Sequence, residues 1–156
     1  MLFRSKILIV ISAIIILGAF LFVRSKQSQV IPKIQGSLKN LEENLIKLMG
    51  SNNGHAFLIV EVSGTEDFIQ FSGDDKGAQL DFPLVTDHQK EMEAQIRQSA
   101  KNQNLAIIEN KGSDGSRFLD IDIDGSPSEI AEISKGLLVS IYGVNESTAL
   151  MFQLEI

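Results

Sequence analysis

Seventeen consecutive residues, Ile7 to Val23, contain a single polar side chain, Ser12, and limit what this chain can fold into more than any other stretch. Thirteen of them are Ile, Leu, Val or Phe. On an insertion scale of about 0.3–0.6 kcal/mol per residue, they favour the bilayer by about 5 kcal/mol. As a helix the run would be about 25 Å long, short for a span but workable if Arg4, Lys6, Arg24 and Lys26 snorkel to the headgroups. A soluble helix apolar on every face would need a larger core than the rest of the chain offers. A cleaved signal peptide is the nearer competitor. It calls for an apolar core of about 7–15 residues and a small-x-small exit, whereas this run continues into Phe20-Leu21-Phe22-Val23-Arg24. The expectation is an uncleaved signal anchor, a transmembrane helix within residues 1–26, followed by a polar tether over 27–35 and one domain over 36–156.

Flanking charge nearly balances, with Arg4, Lys6 and the amino terminus on one side and Arg24, Lys26 and Lys33 on the other. The short basic tail is easily retained while a long acidic domain crosses, which favours N-in, C-out. All 20 acidic residues but only 10 of the 14 basic ones follow Lys26, leaving a formal charge near −10 on the domain. Nucleic acid is therefore an unsuitable partner, since it demands clustered Lys and Arg. A basic protein surface is what such a field would steer in. With no cysteine, disulfides and thiolate metal sites are excluded, and the redox compartment stays open.

Past the tether, Ser37 is an N-cap candidate, and Leu38, Leu41, Leu45 and Leu48 recur at helical spacing up to Gly50, placed for a left-handed cap. That stripe could pair two copies into a homo-oligomer, but fewer than two heptads make a weak coiled coil, so core packing is expected. Ala56 to Val62 is apolar on both faces, as a central strand would be. Phe68–Phe71 and Ala78–Phe82 flank a turn with Gly73 and Gly77, completing a meander that Pro83 ends or confines to an edge. Thr86 and Gln89 open a helix over 88–102. Leu105–Ile108 and Phe118–Asp124 form a second hairpin. Ser126, Pro127 and Glu129 open a last helix with the stripe Ile130, Ile133, Leu137, Leu138 and Ile141, which Gly143 stops. Leu150, Phe152, Leu154 and Ile156 alternate as a final strand. The fold class expected is α+β: helix, three strands, helix, two strands, helix, final strand, with an antiparallel sheet of five to six strands.

Chemistry-bearing patterns are few. Asp120-x-Asp122-x-Asp124-Gly125 opens like a calcium loop, but the twelfth position is Ala131 and strand-like residues precede it. It reads instead as a strand with Ile121 and Ile123 inward and three wet aspartates about 6.6 Å apart. That acidic stripe, with the turn Asp74-Asp75, is the candidate partner-binding site. His55 and His88 lack a second ligand at metal spacing, and no serine sits in a nucleophile elbow. Glu61 and Asp81 could pair as acid and base, though any acidic sheet offers such pairs. No catalytic residue, metal or cofactor is expected, and the protein is read as a binding protein rather than an enzyme.

Phe68-Ile69-Gln70-Phe71-Ser72-Gly73, followed by Leu80-Asp81-Phe82-Pro83-Leu84, resembles small bacterial immunity-type domains. The order of elements is also similar to type III secretion chaperone-like domains, and the resemblance spans roughly 37–142. It implies a protein that binds and neutralises an antibacterial toxin in the cell envelope, or alternatively a chaperone-like accessory subunit of an envelope or secretion complex. With the apolar run, it implies a single-pass protein of the bacterial inner membrane whose domain lies in the periplasm.

Overall fold

Local side-chain chemistry starts three of the helical segments. Ser37 with Asn40, Thr86 with Gln89 and Ser126 with Glu129 form reciprocal capping boxes, each satisfying backbone N–H groups that would otherwise lack partners. The structure is a computed structural model that describes residues 31–156. The expected N-terminal transmembrane helix lies outside the described residues. Among the described residues no helix is long and apolar enough to cross a membrane.

The chain runs β1 (Ile34–Gly36), a 3-10 turn (Leu38–Asn40), α1 (Leu41–Met49), β2 (Phe57–Val62), β3 (Phe68–Gly73) and β4 (Gly77–Leu84). It continues through α2 (Asp87–Glu91), α3 (Glu93–Asn102), β5 (Ile108–Lys111), β6 (Arg117–Asp124), α4 (Pro127–Tyr142) and β7 (Leu150–Glu155). All strand pairs are antiparallel, in the order β1-β7-β2-β3-β4-β6-β5. The expected sheet of five to six strands is thus corrected to seven. The extra strand is β1, whose Ile-Gln-Gly is too short to display an alternation yet pairs with Leu150–Phe152. Ile34 and Gln35, read as tether, therefore belong to the sheet.

Helices cover one face. Leu41, Leu45 and Leu48 of α1 and Ile130, Leu137, Leu138 and Ile141 of α4 pack into the cluster formed by Leu58, Val60, Ile69, Phe71, Leu80, Phe82 and Ile121. Each fully buried Leu, Ile or Phe contributes about 1.5–3 kcal/mol relative to exposure. The leucine stripe is thus core.

Local departures from the expected elements have local causes. Gly50 is right-handed (φ −81°), closing α1 with ordinary helical bonds. Helix 88–102 divides at Met92 into α2 and α3. Leu105 does not begin a strand. Its N–H donates to the Ala100 carbonyl (2.9 Å) and that of Asn104, at φ 56°, to Lys101 (3.1 Å), so the apolar residue closes α3 in a Schellman arrangement. Pro83 neither ends β4 nor lies on the sheet edge. The β3–β4 ladder stops at Gln70–Asp81, so the missing N–H falls beyond it.

At the β5 edge, Glu93 of α3 accepts from Arg97 (2.8 Å) and Arg117 (3.0 Å), and both arginines also bond Glu109. This network clamps the β5–β6 hairpin to α3, and the arginines hold both carboxylates below the usual range. Because the side chains are part-exposed, Glu93→Gln should lower Tm by only about 2 °C at low salt, with the loss vanishing near 1 M salt in thermal scans.

Candidate interaction surface

The face opposite the helices carries no described element, and its side chains follow from strand alternation. One row across it reads Gln153, Ile59, Gln70, Asp81, Asp120, Ile108, each residue opposite the next. Beside it lie Glu61 and Phe68 in one ladder and Pro83 and Phe118 in another. Phe57, Ile59, Phe68, Phe118 and Met151 are half-buried there, so the face is partly apolar as well as acidic.

The acidic residues divide into two places. Asp74, Asp122 and Asp124 converge on an open groove of about 620 Å³ with Lys76 and Gln79 on its wall. Gln79 Nε2 donates to Asp122 Oδ1 (2.8 Å), Lys76 N donates to Asp74 Oδ1 (2.9 Å), and Gly125 N donates to the Lys76 carbonyl (3.0 Å), tying the β3–β4 turn to the end of β6. Asp75 lies in the same turn and is exposed.

Asp120 differs from the expected wet stripe. It lies on the expected face but is only 5% exposed, because Asn110 and Ile108 of the edge strand and its neighbour Phe118 close around it. Asn110 Nδ2 donates to Asp120 Oδ2. Oδ1 of Asp120 and Oδ1 of Asp81 are buried without a hydrogen-bond partner. Burial first, and the adjoining Asp120 second, push the Asp81 carboxyl up to about 7.

The proposed Glu61–Asp81 acid and base pair is not assembled. Glu61 accepts from Lys33 Nζ (2.7 Å), while Asp81 faces Asp120. His55 is exposed. His88 Nε2 lies 2.8 Å from Asp67 Oδ1, a carboxylate partner that sequence spacing missed because it comes from the β2–β3 turn. Burial, with Asp67 nearby, pushes the Tyr142 phenol up, and its hydroxyl donates to the Phe68 carbonyl (3.4 Å). Among the described residues no three carboxylate or imidazole side chains gather as a metal site. The carboxyl pair is the feature no sequence motif could announce, because it depends on β4 pairing with β6 across two intervening helices and strand β5.

The chain matches no protein-family model, no curated protein and no solved structure.

Proposed function

We propose that this is a membrane-tethered binding protein of the immunity type, which neutralises a basic antibacterial toxin by holding it against the helix-free sheet face. The observation that supports the reading most is the concentration there of Glu61, Asp81, Asp120, Asp122, Asp124 and Glu155, whose accompanying cations among the described residues are Lys33, already paired with Glu61, and Lys76. Such a field steers a cationic partner, and the half-buried aromatic and aliphatic side chains supply contact once it arrives. The apolar run 7–23 would keep the domain at the inner membrane, where an envelope toxin acts.

Co-expressing the chain with each neighbouring gene product, exported to the periplasm, tests this by growth. One exported product should be toxic alone and harmless with this chain. Asp122→Asn with Asp124→Asn should slow its association about tenfold at low salt, leaving stability within about 0.5 kcal/mol. If instead no product is toxic and the chain raises the yield of a secreted neighbour, the chaperone-like accessory role replaces the immunity role.

A further inference from the structure

We infer that Asp81 and Asp120 form a socket for one cationic side chain, arginine or lysine, of the bound polypeptide. This deepens the proposal that the helix-free face binds a basic protein and rests on it. Their register pairing places the two Cβ atoms about 4.5–5.5 Å apart. A guanidinium presents five donors in a planar fork and can bond two carboxylates side by side. Both Oδ1 atoms are buried and unpartnered, and Asp120 is 95% enclosed, so once the pair has lost its proton these acceptors lack a donor, which an added cation would supply.

The surroundings hold no competing cation among the described residues. Gln70 comes from β3, Ile108 and Asn110 from β5, and Asp122 follows on β6, while Glu61 lies two strands away and is paired with Lys33. Arg117 is on the helix side, engaged by Glu93 and Glu109. Phe118 and Pro83 border the pair and suit the methylene stem and the flat face of arginine. Entry of a cation favours the Asp81 carboxylate, so binding releases a proton and tightens as pH rises through neutrality.

The test uses the full chain in detergent micelles, observed by backbone amide NMR. It is titrated with the capped pentapeptide Ser-Val-Arg-Val-Ser and with the same peptide carrying neutral citrulline for arginine. The arginine peptide should shift the amides of Asp81, Asp120 and Asn110 with a Kd on the order of 1 mM, tighter at about pH 8 than at about pH 6. The citrulline peptide should not. Asp120→Asn should weaken binding about tenfold or more, and Asp81→Asn provides the same check should the first variant misfold. Equal binding of both peptides overturns the socket. Shifts confined to Asp74, Asp122 and Asp124 also overturn it, while leaving the basic-partner reading standing. No shift at either place at about 10 mM peptide overturns both.

Discussion

Gly77→Ala should destabilise the domain by about 2–4 kcal/mol and lower Tm by about 10 °C. A Cβ at this position would lie 2.5 Å from the Ile123 carbonyl oxygen and 3.1 Å from Asp124 Cα, and neither can rotate aside as a side-chain tip could. The start of the β4–β6 ladder would have to spread, widening the groove between the β3–β4 turn and Asp122 and Asp124. Gly54→Ala is the control, because a Cβ there meets nothing within 4 Å. Thermal unfolding followed by circular dichroism compares the two. An unchanged Tm for Gly77→Ala would show that the strands separate at no cost.

Asp81→Asn should have the opposite sign. The folded-state pKa of Asp81 is raised from an ordinary 3.8 to about 7, so its contribution to stability is fully present below about pH 4 and is lost as pH rises through about 7. Allowing for solvent screening at a half-buried side chain, the loss by pH 8 is about 1–2 kcal/mol. The asparagine variant should therefore be more stable than the parent by that amount at about pH 8 and nearly equal to it at about pH 4. Glu43, Glu93, Glu109, Asp114 and Glu129, all lowered, pull the other way as pH falls, but they are common to both proteins and cancel in the difference. Urea unfolding at both pH values measures it. A variant less stable than the parent at pH 8 would mean that the Asp81 carboxylate is favourably solvated or paired.

What was legible in the residues was local. Ser37, Thr86 and Ser126 announce their helices through bonds reaching three residues, and Gly143 announces the end of α4 by adopting φ 66°. Leu41, Leu45 and Leu48 reveal a buried face by spacing alone. What stayed hidden depends on partners far along the chain. Glu93, Arg97, Glu109 and Arg117 look like ordinary surface charges until the hairpin folds back on α3. Asp120 satisfies the same alternation as Asp122 and Asp124. Its enclosure comes from Asn110, Ile108 and Phe118, and its carboxyl neighbour comes from β4. Gly73 and Gly77 read from the sequence as turn residues, whereas their lack of a Cβ matters because another strand's backbone approaches closely.

The way the chain enters the sheet has a mechanical consequence. β1 holds the shortest ladder in the sheet, three pairings with β7, reinforced by the Lys33–Glu61 ion pair at its leading end. A pull transmitted from the residues before Lys33 loads that ladder first, while the six-residue β2–β7 and eight-residue β4–β6 ladders stay in reserve. Peeling β1 away would free about 10 Å of chain and release Glu61 from Lys33, with the helix-covered core left in place. Under such a load β1 would give way before the longer ladders of the sheet.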